Sequence, residues 1–254
     1  MAGLVPATHF PETRQDNARL WKMGGRHEGG HDGIVVCSGM ANASPPPNCP
    51  LCPRLATFRE ANRTKYPDYF NDPVPTFSAP ANEVRLLIVG LAPGLHGANR
   101  TGRPFTGDYA GDLLYPTLLN HGLARGTYGE SADDGLQLVD CAISNAVRCV
   151  PPENKPLPLE INTCRQFLIG QIEALPHLRA ILALGKIAHD SVCKALGAKL
   201  SAHPFKHGKR YRIGKLSLVS SYHCSRYNTN TGVLTPQMFD DAVKEAKIAA
   251  MPQI

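Results

Sequence analysis

The sequence predicts an α/β domain in which helices cover both faces of a mainly parallel sheet. Apolar runs typical of buried strands alternate along the chain with amphipathic helical segments. Such an alternation joins parallel strands through helical crossovers. The 254 residues, of which 43% are hydrophobic, are enough to bury one substantial core.

Four segments carry the strand prediction, because aliphatic and β-branched residues dominate them: residues 84–89, 138–147, 179–184 and 216–221. Helices are expected at residues 55–65, 112–121, 159–175, 186–196 and 236–249. Pro158 and Pro236 stand at helix starts, and Gly122 is a typical helix stop. We expect residues 1–44 to be a loosely ordered leader and residues 45–254 to form a single domain.

The composition narrows the class of protein. Lys and Arg number 27 against 21 Asp and Glu, and the net charge of +6 is compatible with a polyanionic partner. The first residues lack the basic and apolar regions of a secretory signal, and no run approaches the roughly 18 apolar residues of a membrane helix. We therefore expect a cytoplasmic monomer without a membrane association.

Eight cysteines in a chain without an export signal argue against a disulfide scaffold. Cys49 and Cys52 form a C-x2-C pair between prolines, while Cys149 ends a predicted strand and Cys164 lies on the following helix. Four thiolates suit a tetrahedral zinc or an iron–sulfur cluster, and their spacing does not separate the two. The alternative is that these cysteines are small buried hydrophobes.

The loops after residues 89, 147 and 221 meet at the carboxyl edge of the predicted sheet, where ligands bind in such folds. The first of them, residues 90–108, is rich in glycine, which lets backbone N–H groups approach a phosphate or a base. Phe105 lies between Pro104 and Thr106 in this loop and is hard to explain as a core residue.

Together these motifs closely resemble the uracil-DNA glycosylase superfamily, and within it the type-5 enzymes. The resemblance rests on the segments 49–55, 90–108, 144–152 and 223–232, in that order. It implies a three-layer α/β/α sandwich around a four-stranded, mainly parallel sheet. It also implies a [4Fe-4S] cluster, rather than zinc, at Cys49, Cys52, Cys149 and Cys164.

The resemblance also assigns roles to three residues. Phe105 matches the position that stacks on an extruded base, and Asn145 matches the asparagine that reads the base edge. An asparagine amide offers both the donor and the acceptor that uracil N3–H and O4 require. His223 matches the histidine of the third motif and is our candidate donor to the base oxygen, either neutral or protonated.

Type-4 enzymes have an acidic residue after the first glycine of the loop, where this chain has Leu91. Asp108 is the nearest replacement as the group that orients water or stabilises the sugar cation, although it could equally cap the next helix. Leu91, Ala92, His96 and Asn99 are predicted to contact the substrate from the same loop.

The segment after His223 is expected to enter the DNA groove, with Arg226 on phosphate and Tyr227 filling the gap left by the base. Cys224 stands where the enzymes that this chain resembles usually have a proline. The predicted activity is hydrolysis of uracil from DNA without a lyase step. Hypoxanthine, xanthine and ethenocytosine are further candidate substrates.

Two other functions fit parts of the pattern. A damaged-DNA binding module of the same fold would flip uracil without releasing it, since Leu91 replaces the loop acid. A metal protein that binds a small phosphorylated ligand would use residues 90–102 instead. Three separate motifs in the order of one enzyme family favour the glycosylase.

Overall fold

The computed structural model describes residues 43–252 of the chain. The leader predicted for residues 1–44 lies almost entirely outside this range. The helices are α1 (Pro53–Lys65), α2 (Ala98–Thr101), α3 (Tyr109–Asn120), α4 (Pro158–Glu173), α5 (Lys186–Ala195), α6 (Arg226–Asn230) and α7 (Pro236–Ala250). The strands are β1 (Phe77–Ser78), β2 (Leu86–Gly90), β3 (Ala124–Arg125), β4 (Gln137–Leu138), β5 (Cys141–Asn145), β6 (Ala180–Leu184), β7 (Arg210–Ile213) and β8 (Leu216–Ser221).

The central sheet in this range has six strands in the order β1-β5-β2-β6-β8-β7. Its inner strands β5, β2, β6 and β8 are parallel, and every residue in them is buried, including the serines of β5 and β8. Strands β1 and β7 pair antiparallel at the two edges. The four-stranded prediction is therefore correct for the parallel centre and lacks the two edge strands.

Helices cover both faces of the sheet. α7 packs on β8 and β6 and also contacts α3, whereas α5 packs on β6 and contacts α4. The chain moves across the sheet in one direction from β2 to β5 and in the other from β5 to β6 and β8. Right-handed crossovers then place α3 on one face and α4 and α5 on the other, in agreement with the contacts of α3 with α7 and of α4 with α5. These layers form the predicted three-layer sandwich. None of the helices described here is long and apolar enough to cross a bilayer.

Strand register brings the predicted loops together. Gly90 at the end of β2 lies opposite Asn145 at the end of β5, and β6 and β8 end side by side at Leu184 and Ser221. The connection from β2 leads to β5 on one side, and the connection from its neighbour β6 leads to β8 on the other side. In such folds a crevice opens at this point, beyond the carboxyl ends of the strands.

Candidate active site

Phe105 and Asn145 meet at Gly90. The glycine has no side chain, and a Cβ built there would overlap both the Phe105 ring and the Asn145 amide oxygen. Phe105 is 6% exposed and Asn145 is 4% exposed. The missing side chain at the end of β2 therefore lets an aromatic ring and an amide share one position above the sheet.

His223 joins this pair from the loop after β8. Its imidazole stacks on the Phe105 ring, with centroids 5.9 Å apart and planes inclined by 27°. Burial lowers the pKa of His223 to about 4, so the ring is neutral at pH 7. Asn228 donates to the His223 carbonyl at 2.8 Å and ties it to α6. The structure thus brings Phe105, Asn145 and His223 together, and it favours the neutral form of the histidine.

A cleft of about 430 Å³ opens in front of His223. This volume is in the range of small-molecule sites. Its lining comes from the loops after β2, β5 and β8 and from the start of α3: Leu91, Ala92, Gly94, Asp108, Tyr109, Ala110, Asn154, His223, Ser225 and Arg226. Leu91 and Ala92, which the sequence predicts as substrate contacts, therefore line this cleft. Phe105 and Asn145 lie behind this lining, next to Gly90.

Asp108 faces the cleft and also caps α3. Its carboxylate accepts the N–H of Ala110 at 3.1 Å. Gly94 and Gly97 leave room for the carboxylate, because a Cβ at either glycine would press against it. Burial raises the pKa of Asp108, although the N–H groups of Ala110 and Gly111 act in the opposite direction. The two predicted roles, cap and reactive group, are thus compatible in one position.

Two of the predicted substrate contacts lie elsewhere. Asn99 is 1% exposed and donates to the Asn71 side chain at 2.9 Å, so it holds the loop to the preceding segment. His96 is exposed, accepts or donates at 3.0 Å with the Tyr69 hydroxyl, and packs edge-on against Tyr66. Neither side chain lines the cleft, because both are engaged by residues 66–71.

The segment after His223 forms the short helix α6. Arg226 lines the cleft, and its guanidinium lies 5.2 Å above the Tyr109 ring. Tyr227 is 74% exposed at the rim. Cys224 is fully buried, and burial followed by the nearby Asp108 raises its pKa.

Sequence reasoning missed Asn154 and Tyr109. Asn154 lies in a short 3-10 turn, Pro152–Asn154, and both it and Glu153 have positive φ, 57° and 54°. Such strained residues are frequent at functional sites. The signal for Asn154 was its place in the Pro-rich loop directly after the Cys149 motif, at the same edge of the sheet.

The four predicted metal ligands line one small cavity. Cys49 and Cys164 are 8% exposed, and Cys52 and Cys149 are partly buried beside them. Burial, and after it the neighbouring Cys164, raises the pKa of Cys149 to about 12. Burial raises the pKa of Cys164 to about 11, although Arg148 acts in the opposite direction. Four thiolates are therefore stable here only with a compensating positive charge.

Positive groups already flank these thiols. The backbone N–H of Arg148 donates to Cys164 Sγ at 3.4 Å, and the Arg59 guanidinium donates to Cys149 Sγ at 3.8 Å. Both arginines are buried, at 1% and 3% exposure. Within residues 43–252 no group of three or more His, Cys, Asp or Glu side chains is arranged to hold a single metal ion.

Comparison with known proteins agrees with this fold. A family model described as Uracil DNA glycosylase superfamily matches residues 77–247, which include β2, β5, β8 and the loops after them. The chain therefore belongs to the uracil DNA glycosylase superfamily, whose members hydrolyse the N-glycosidic bond of uracil in DNA.

Curated relatives refine the comparison. The type-5 uracil-DNA glycosylase of Thermus thermophilus is 45% identical over 205 residues, which cover 78% of this chain and 92% of that protein. The type-5 enzyme of Mycobacterium tuberculosis is 42% identical over 208 residues, covering 78% and 77%. A type-4 uracil-DNA glycosylase of Pyrobaculum aerophilum is 32% identical over 161 residues, covering 63% and 74%.

Proposed function

We propose that this chain is a type-5 uracil-DNA glycosylase that extrudes uracil from DNA and hydrolyses its bond to the sugar without a lyase step. The meeting of Phe105, Asn145 and His223 at the carboxyl edge of the sheet carries the proposal. A stacked base is out of reach in a duplex, so it must leave the helix before a pocket can bind it. The +6 charge favours a nucleic-acid partner.

Recognition of the extruded base falls to Phe105 and Asn145. The Phe105 ring offers a flat apolar face for stacking. The Asn145 amide can donate to uracil O4 and accept from uracil N3–H, a pattern that cytosine does not match. Because both side chains adjoin Gly90, their spacing is fixed by the β2–β5 register.

Bond cleavage requires charge to be stabilised at both ends of the breaking bond. As the bond between C1′ and N1 of uracil breaks, its electron pair leaves with the base and the sugar becomes oxocarbenium-like. Neutral His223 is suited to donate an N–H bond to the base oxygen as negative charge develops there. Water then forms the new bond to C1′, and one of its protons is lost.

We assign Asp108 as the group that accepts the proton from this water. It faces the cleft, and its raised pKa makes the carboxylate a better proton acceptor than an exposed aspartate. Its negative charge would also stabilise the sugar cation. Leu91 and Ala92 supply the apolar wall on the same side of the cleft.

The DNA is expected to lie across the mouth of the cleft. Arg226 is placed for a phosphate contact, and exposed Tyr227 can occupy the space that the base leaves. Other deaminated bases such as hypoxanthine and xanthine, and ethenocytosine, are proposed as additional substrates.

We further propose that Cys49, Cys52, Cys149 and Cys164 hold a [4Fe-4S] cluster. The shared cavity and the flanking Arg148 N–H and Arg59 guanidinium fit a group that carries net negative charge. A cluster bound there would link the segment before α1 to the loop after β5 and to α4. It would hold the loop with Asn154 in place, and we assign it no step in the hydrolysis.

The proposal is tested with purified protein and oligonucleotides that carry uracil, hypoxanthine, xanthine, ethenocytosine or undamaged bases. Alkali cleaves at abasic sites, so strand breaks after treatment report glycosylase activity. We expect breaks at uracil and none in undamaged DNA. Tight binding of uracil-containing DNA without any release of base would instead identify a damaged-DNA binding module. Trapping of an enzyme–DNA adduct by borohydride would contradict simple hydrolysis.

A further inference from the structure

Arg103 and Asp134 form a buried ion pair beside the candidate active site. Each side chain is 5% exposed. The guanidinium donates two hydrogen bonds, of 2.7 Å and 2.6 Å, to the two carboxylate oxygens. The same carboxylate accepts N–H bonds from Gly129 and Leu136, each at 2.9 Å. Asp134 therefore shapes the loop between β3 and β4 and ties it to Arg103.

The remaining donor of Arg103 fixes the segment that carries Phe105. Arg103 Nε donates to Thr106 Oγ1 at 2.8 Å, and this hydroxyl donates to the Pro104 carbonyl at 3.2 Å. The Tyr115 hydroxyl donates to the same carbonyl at 2.5 Å. Thr106 is fully buried. The residues on both sides of Phe105 are thus held by one connected set of hydrogen bonds.

Phe105 requires such support because its backbone is left-handed, with φ 53°. A bulky residue is strained in this region, by about 1–3 kcal/mol. The Phe105 carbonyl lies 3.5 Å from the Tyr128 hydroxyl, and the Arg103 guanidinium lies 5.9 Å above the Tyr128 ring. A relaxed backbone would turn the ring away from Gly90 and His223.

We propose that Arg103, Thr106 and Asp134 are positioning residues, here called the Phe105 clamp, which hold Phe105 so that its ring faces an extruded base. The inference rests on the proposed function, because the orientation of the ring affects the reaction only if a base stacks on it. The clamp residues do not line the cleft, so their effect on an extruded base passes through Phe105.

Thr106→Val tests the clamp, because it removes the acceptor of Arg103 Nε and leaves the ion pair with Asp134. Thr106→Ser, which keeps the hydroxyl, is the matched control. We expect the valine variant to slow single-turnover uracil release about 100-fold, the effect of a small misplacement. We also expect a smaller fluorescence increase from 2-aminopurine placed beside the uracil, and faster amide exchange in residues 103–107. The serine variant should restore all three readouts.

A second variant, at a different residue, tests whether the effects come from the lost hydrogen bond and not from misfolding of the Thr106→Val protein. Arg103→Lys keeps the charge pair but has no Nε to reach Thr106, so it should show the same three changes. Wild-type amide exchange in Thr106→Val and Arg103→Lys would overturn the proposal, as would slow uracil release with unchanged fluorescence. If the wild-type chain released no uracil, the proposed function would fail. The exchange comparison would still decide whether the clamp holds Phe105.

Discussion

Asp108 combines a structural and a chemical role that a single substitution can separate. Its carboxylate accepts the Ala110 N–H as a helix cap, and an asparagine amide oxygen can accept the same bond. Asparagine cannot accept a proton from water. We therefore expect Asp108→Asn to lower the single-turnover rate of uracil release by about 100-fold or more. Thermal unfolding should stay close to that of the wild type.

Asp108→Ala is the control, because it removes the cap together with the carboxylate. It should unfold with a free energy about 1 kcal/mol lower than that of the asparagine variant. Full activity of Asp108→Asn would leave the residue as a cap only, and the water would then need another partner.

His223 should make stability depend on pH. Burial lowers its pKa from 6.5 to about 4, so between these values the unfolded chain binds a proton that the folded chain does not. This residue therefore reduces the free energy of unfolding as the pH falls from about 6.5 towards about 4, and has no such effect above that window. We expect urea unfolding to show a steeper loss for the wild type than for His223→Gln. Parallel pH profiles for the two proteins would contradict the lowered pKa.

For single residues, the sequence motifs predict where a side chain lies better than they predict which residues it contacts. The family resemblance points to Phe105, Asn145 and His223 by their places in its motifs, and the structure brings the three side chains together. His96 and Asn99 were assigned to the substrate only because they share the loop of Leu91. Their partners, Tyr69 and Asn71, come from a Pro-rich segment without periodicity, and nothing local predicts that it folds back.

Among the elements, the ends of β2 and β5 determine the geometry of base recognition. Gly90 lies opposite Asn145, and a Cβ there would overlap the Asn145 and Phe105 side chains. We expect Gly90→Ala to displace both side chains and to reduce uracil release about 100-fold. Binding of undamaged duplex DNA is the control, because it needs no extruded base and should persist. Wild-type uracil release by the variant would show that the ring and the amide tolerate a shift.

The buried elements were predictable and the edges were not. The predicted strand 216–221 has the same ends as β8, and every residue of β8 is buried. The predicted strand 138–147 is broken at Asp140, whose φ of 55° a pattern of apolar residues does not reveal. β1 has only two residues, between prolines. β7 alternates Arg and apolar residues, which is the pattern of a half-exposed edge strand and could have indicated it.

For the whole molecule, the proposed cluster can be tested by its loss. Cys164→Ser should abolish the visible absorbance and the iron content of the purified protein, and it should lower thermal stability, because α4 would no longer be linked to the segment before α1. Cys193→Ser is the control: this thiol is buried on α5, 3.5 Å from the His189 ring, far from the cysteine cavity in sequence. Equal iron in both variants would contradict the ligand set. Zinc in place of iron in the wild type would contradict the [4Fe-4S] assignment.

The net charge of +6 should appear in the salt dependence of DNA binding. Each phosphate contact releases bound counterions, so the logarithm of the affinity falls linearly with the logarithm of the salt concentration. If Arg226 at the cleft contacts one phosphate, Arg226→Ala should weaken binding of uracil-containing and undamaged duplexes alike and reduce the slope by about 1. Lys65→Ala is the matched control, because Lys65 lies at the end of α1 beside Tyr66 and is not part of the cleft lining. An unchanged slope for Arg226→Ala would remove this arginine from the phosphate contacts. A loss confined to uracil-containing DNA would place it on the extruded nucleotide instead.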